Sequence, residues 1–199
     1  MSDADNEVDA PAPKWKSVDT SVYDAKWAAM AKDGQNVHGE ADFVSRFSPT
    51  SVLDGGCGTG RVAIELGRRG CEVVGVDLDE PMIHAARTKA PDIEFRLDDL
   101  ATIDLQRTFD VVVLPGNVML FVAPGSEATV VLNMSRHLGE SGRLIAGFQL
   151  GRGLTVSDFD EMATAAGLTL EEHWSTWDGH LATGDANYAV LVYRRLGTA

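Results

Sequence analysis

The residues in this chain best suited to chemistry are acids set around a glycine turn. Asp54 ends a short apolar run, Ser51-Val52-Leu53, and glycines follow at Gly55, Gly56, Gly58 and Gly60. A second acid, Asp77, closes the next apolar run, Glu72 to Val76. Glycines this close together let the chain reverse sharply and let a ligand approach bare backbone. An acid at the end of the second strand can accept hydrogen bonds from ribose hydroxyls. Strand, glycine turn, helix, strand and acid span about thirty residues, the length of a nucleotide-binding βαβ unit.

Two ligands fit such a unit. Gly58-Thr59-Gly60-Arg61-Val62-Ala63 satisfies the dinucleotide pattern G-x-G-x-x-A, with Asp77 near the expected spacing. The run from Asp54 to Gly60 also fits D-x-G-x-G-x-G, and its leading acid separates the two readings. A carboxylate at the mouth of the turn repels a pyrophosphate and suits a ligand that carries an amino group beside a sulfonium. Through the runs VLDGGCGTGR and VVGVDLDEPM the chain resembles the class I S-adenosylmethionine-dependent methyltransferases. A nicotinamide oxidoreductase using NAD(P), a non-catalytic cofactor-binding protein and a merely tight turn stay open as alternatives.

The resemblance implies an α/β fold: a doubly wound, mostly parallel seven-stranded sheet with an antiparallel C-terminal hairpin. It implies S-adenosyl-L-methionine as cofactor, with binding roles for Asp54, Gly56, Gly58, Gly60, Asp77, Leu78, Met82, Asp99, Leu100 and Leu114. In that arrangement Leu78 and Met82 flank an adenine, Asp99 accepts from its exocyclic amine, and the Leu100 amide meets the ring. Ordinary core packing is the alternative for Leu78 and Met82, and two solvated loop acids the alternative for Asp98 and Asp99. The reaction implied is an in-line displacement at the sulfonium methyl, for which the protein must hold the acceptor about 3–3.5 Å away and exclude water.

The elements that must position these residues follow in chain order. Residues 1–18 read as a disordered acidic tail, and 19–199 as a single domain. Its N-terminal helices, within 19–48, are expected over the cofactor cleft. Residues 21–32 and 37–47 carry helical spacings, Val22, Trp27 and Met30 in the first and Ala41, Val44 and Phe47 in the second. After the glycine turn, Val62, Ala63 and Leu66 face a sheet and Gly70 stops the helix. Asp79 caps the next helix, Pro81 sits in its first turn, and Pro91 ends it near Ala90. Strands are expected at 93–97, 109–114, 142–149, 169–177 and 186–194. Between them lie a helix from Ser126, with Leu138 on its inner stripe, and one opened by a capping box at Ser157 to Asp160. The last two strands are joined too closely for a crossover helix and must pair antiparallel.

Composition narrows the function. At 199 residues one domain is expected, and a net charge of -13 argues against a nucleic-acid partner. Two cysteines make no disulfide framework, no apolar run reaches membrane length, and no signal-peptide core appears, so the chain reads as cytoplasmic. Neither a metal-ligand spacing nor a Ser/His/Asp order is present. His38, Tyr23 and Asn117 are the candidates for catalysis, His38 as a base and Asn117 as a substrate-orienting or loop-holding residue. With almost all of the chain in the core fold, a small organic acceptor is favoured over a macromolecule.

Overall fold

The computed structural model describes residues 19–195. Two helices lead in, α1 (Thr20–Lys32) and α2 (Gly39–Ser45). Then β1 (Ser51–Gly55), α3 (Arg61–Arg68), β2 (Glu72–Asp77), α4 (Glu80–Lys89) and β3 (Glu94–Leu97) form the first half of a doubly wound sheet. The second half is β4 (Phe109–Leu114), a short 3-10 turn at Val118–Leu120, α5 (Glu127–Arg136), β5 (Leu138–Gln149) and α6 (Val156–Ala165). The hairpin strands β6 (Leu168–Trp174) and β7 (Tyr188–Arg195) complete it. The spatial order is β3-β2-β1-β4-β5-β7-β6. Pairing is parallel from β3 through β5, and β7 lies antiparallel between β5 and β6, as expected.

The strand order reverses between β1 and β4, and ligands of open α/β sheets bind outside the carboxyl ends of strands at such a point. Central strands are apolar on both faces because helices cover both. Leu53, Val112, Leu114, Leu144 and Phe148 pack on one side with α5 and α6. On the other side Val52, Val111, Val113 and Ile145 meet α2 and α3. Phe148, Phe159 and Tyr193 stack at centroid spacings of 5.6 Å and fix α6 on the sheet.

Three local expectations shift. The fifth strand starts at Leu138, not residue 142, because Leu138 pairs with Phe109 ahead of an irregularity in the β4–β5 register. Helix α5 therefore ends at Arg136, and Leu138 belongs to the sheet. The capping box lies two residues earlier than expected: Thr155 Oγ1 accepts from Asp158 N at 3.1 Å, and Asp158 Oδ2 accepts from Thr155 N at 2.9 Å. Buried Leu154 and Phe159 flank it in the positions of a hydrophobic staple, which selects that frame. In α1, Val22 is 62% exposed, and the inner stripe is Tyr23, Asp24, Trp27 and Met30.

Candidate active site

The glycine turn is built by backbone conformations that side chains resist. Gly56, Gly58 and Gly60 have φ of +73°, +54° and +85°. A Cβ on Gly56 would also lie 2.3 Å from Val118 Cγ2, so the turn packs directly under the loop after β4. The N–H groups of Gly56 and Cys57 both donate to Val76 O, at 2.8 and 3.0 Å, tying the turn to β2.

Asp77 sits beside it with both oxygens engaged. Oδ2 accepts from Gly58 N at 2.7 Å and Oδ1 from Asp79 N at 2.9 Å. Burial pushes its pKa up, and those two amides pull against that rise. Each oxygen keeps a further lone pair for a ligand hydroxyl.

Asp54 is placed differently from the sequence expectation. It is 0% exposed and turns toward the first turn of α3, where Oδ2 accepts from Ala63 N at 3.0 Å. The amides opening a helix lack intrahelical partners, and Gly60 at the cap has no side chain to satisfy them. Asp54 does so from the neighbouring strand. Its Oδ1 has no hydrogen-bond partner among the described residues. Burial lifts its pKa to about 7, against the opposing pull of Arg61.

Arg61, the first residue of α3, has no place in the sequence-derived set. Its guanidinium makes a two-pronged pair with Glu40 of α2, at 2.9 and 2.5 Å, and donates to Val37 O. The Trp27 ring stacks against it, 3.9 Å from the centroid. Burial lowers its pKa, but the Glu40 contacts outweigh that and leave it above its ordinary value. Its Nε is buried without a partner among the described residues.

These groups converge on a cavity at the switch point, about 1040 Å³ when the open mouth is counted. Gly56, Cys57, Arg61 and Val62 form one wall, and Asp77, Leu78 and Met82 form the next. Asp98, Asp99 and Leu100 follow β3, while Pro115, Gly116, Val118 and Phe121 to Ala123 follow β4. Tyr23 reaches in from α1, its phenol held protonated by burial. Asn133 of α5 props the third wall from behind, Nδ2 donating to Leu100 O and Ile103 O at 2.9 Å each.

Of the residues expected at the cofactor, Gly56, Asp77, Leu78, Met82, Asp99 and Leu100 line this cavity. Asp54, Gly58, Gly60 and Leu114 stand outside its wall; Leu114 is fully buried in the core against Gly55. Tyr23 alone among the catalytic candidates lines it. His38 precedes α2, with Nδ1 3.9 Å from Glu65 on α3, and does not reach the cavity. Asn117 holds its loop: it adopts φ +72°, accepts from Gln149 N at 2.7 Å through Oδ1, and donates from its own N to Gly147 O. Arg61 carried one signal in sequence, a cation at the first helical position after the glycines, where side chains overlook the cleft.

Comparison with known proteins agrees with this geometry. A methyltransferase-domain family model matches residues 52–142. A solved TehB-like SAM-dependent methyltransferase from Corynebacterium glutamicum is 33% identical, with a TM-score of 0.82 over 90% of this chain and 98% of that one. Magnesium-protoporphyrin O-methyltransferase from Rhodobacter capsulatus is 37% identical over 78 residues, 37% of this chain and 34% of that protein. An N,N-dimethyltransferase named for dTDP-4-amino-2,3,4,6-tetradeoxy-D-glucose, from Saccharopolyspora spinosa, is 27% identical over 61% of this chain and 50% of its own length. The chain thus spans between a third and a half of these curated relatives.

Proposed function

Because this chain belongs to the class I S-adenosylmethionine-dependent methyltransferases, we propose that it transfers a methyl group to a small organic acceptor. The observation that carries the reading is the cavity at the strand-order reversal, which a fixed carboxylate, apolar side chains and a guanidinium line together. Bound there, S-adenosyl-L-methionine supplies a methyl group already activated by the sulfonium charge.

The residues present fit that cofactor. Asp77 accepts from the ribose hydroxyls, Leu78, Met82 and Leu100 enclose the adenine, and Asp99 accepts from its amino group. Gly56 leaves room for the chain to pass the turn. The Nε of Arg61, unpartnered among the described residues, suits a carboxylate, while Asp54, buried outside the cavity wall, holds the turn through Ala63 N. Gly58 and Gly60 act through the backbone shape they permit, and Leu114 supports the cavity from the core.

On the acceptor side Tyr23 offers a neutral hydroxyl for orientation. In a methyl transfer the acceptor is itself the nucleophile, and a base is needed only where its proton must leave before attack. An amine lone pair or a carboxylate attacks without a base. The relatives named as an amino-sugar N,N-dimethyltransferase and a magnesium-protoporphyrin O-methyltransferase support a small acceptor methylated on nitrogen or oxygen. No described helix is long and apolar enough to cross a membrane, and a cytoplasmic reaction suits two free thiols.

The test is calorimetric titration with S-adenosylmethionine, its demethylated product and NADH, followed by an acceptor panel of amines, carboxylates and hydroxyls. Saturable binding of the first two, and methylation of at least one amine or carboxylate, is expected. Preferential NADH binding, or no binding of the adenosyl ligands, would overturn the assignment.

A further inference from the structure

Helix α1 roofs the cavity, yet none of its residues is fully buried. Apolar burial therefore holds it weakly, since that stabilisation scales with the area removed from water. Besides the Trp27 ring lying against Arg61, its attachment runs through Asp24, one residue after the cavity-lining Tyr23. Asp24 Oδ1 accepts from Thr59 Oγ1 at 2.6 Å, and Thr59 is fully buried within the glycine turn. From the last turn of α4, Lys89 Nζ donates to both Asp24 oxygens, at 2.9 and 3.1 Å. One carboxylate on the roof thus grips both the turn and the helix that follows Asp77.

We infer that Asp24 is a positioning residue: by clamping α1 to Thr59 and Lys89 it seats Tyr23 in the cavity wall and retards release of the bound cofactor. The inference rests on the cofactor site proposed above. A ligand lying against Tyr23 leaves more slowly while α1 stays clamped, because the roof must lift or shift to free it. The charge on Asp24 adds to its hydrogen bond through Lys89, by a smaller amount because both side chains of that pair are more than a third exposed. Both contacts lie outside the two apolar cores, so weakening them alters exchange at the site before it alters the fold.

The test measures the rate at which bound S-adenosylhomocysteine is displaced by excess S-adenosylmethionine, in the full chain and in Asp24→Ala, Asp24→Asn and Lys89→Gln. Loss of a charge-assisted hydrogen bond together with its ion pair predicts release roughly tenfold faster in Asp24→Ala. Asp24→Asn keeps an acceptor for Thr59 and gives a smaller acceleration, as does Lys89→Gln. The KM for cofactor rises in the same order, with the core's urea midpoint nearly unchanged. Release from Asp24→Ala at the parent rate overturns the inference, as does parent-rate release from Lys89→Gln should Asp24→Ala fail to fold. A parent chain that does not bind S-adenosylhomocysteine removes the cofactor assignment itself, and this inference with it.

Discussion

Replacing Asp54 by Asn isolates the electrostatic cost hidden under the glycine turn. In the folded protein burial holds the Asp54 pKa at about 7, whereas an unfolded chain releases that proton near 3.9. Between those values the native state binds more protons than the unfolded one, so raising the pH costs native stability. The contribution is fully present below the unfolded pKa and is lost as pH rises through about 7. At about 1.4 kcal/mol for each tenfold, the loss totals roughly 4 kcal/mol, of which about half has accrued by pH 5.5. Asn keeps a carbonyl oxygen for the Ala63 N–H but carries no charge to bury. The stability difference between Asp54→Asn and the parent should therefore widen by about 2 kcal/mol from pH 5.5 to 8.5, in favour of Asn. That window clears the sequence pI of about 4.6. Urea unfolding followed by tryptophan fluorescence measures it, and taking the difference cancels the titrating groups that do not sense the Asp54 charge. Two parallel stability curves across the window would refute a buried, charge-intolerant Asp54.

Asp77→Ala removes the acceptor for the Gly58 and Asp79 amides as well as the proposed ribose contact. Cofactor affinity should fall roughly tenfold to a hundredfold by calorimetry. Gly56→Ala forces a positive φ on a residue with a Cβ and drives that carbon to within 2.3 Å of Val118. It should lose cofactor binding and about 1–3 kcal/mol of stability by thermal unfolding. Asn133→Ala leaves the carbonyls of Leu100 and Ile103 buried without their donor. A cost of about 1–3 kcal/mol is expected in urea unfolding, with severalfold weaker cofactor binding, although Asn133 itself does not line the cavity.

The parts of the fold that the sequence states clearly are those whose signals are contiguous. The run from Ser51 to Asp77 is readable because an apolar strand, a glycine cluster and a helix cap follow one another without a gap. Helix α4 is equally plain: Asp79 accepts from Met82 N at 3.1 Å, and the helix ends at Lys89, just ahead of Pro91. Leu138 shows where such reading stops. It fits the apolar stripe of α5 and the start of β5 equally well, and only its pairing with Phe109, twenty-nine positions earlier in the chain, decides between them. The capping box has the same ambiguity. Thr155 with Asp158 and Ser157 with Asp160 both have the spacing, and burial of Leu154 beside Phe159 selects the first.

The site divides along the same line. The proposed cofactor wall comes from short segments at the ends of β1, β2 and β3, so local motifs pointed to Gly56, Asp77, Leu78, Met82, Asp99 and Leu100, which line the cavity. What they could not supply was orientation. Asp54 was expected to face the ligand, but a neighbouring helix end with unsatisfied amides claims one carboxylate oxygen first. Arg61 escaped notice because its significance depends on Glu40 and Trp27, which lie upstream on separate helices and reach it only after α1 and α2 fold over the turn. The rest of the cavity wall, proposed for the acceptor, is more dispersed still, with Tyr23 from α1 and Phe121 to Ala123 from the loop after β4. Those segments have backbone ties of their own, through helix α1, the turn at Val118–Leu120 and the Asn117 bonds to Gly147 and Gln149, but they belong to no strand, so their side chains can change without disturbing the sheet. That separation explains how one scaffold retains a legible cofactor signature while its acceptor preference resists reading: the first is fixed by backbone geometry, and the second by side chains that meet only in the folded chain.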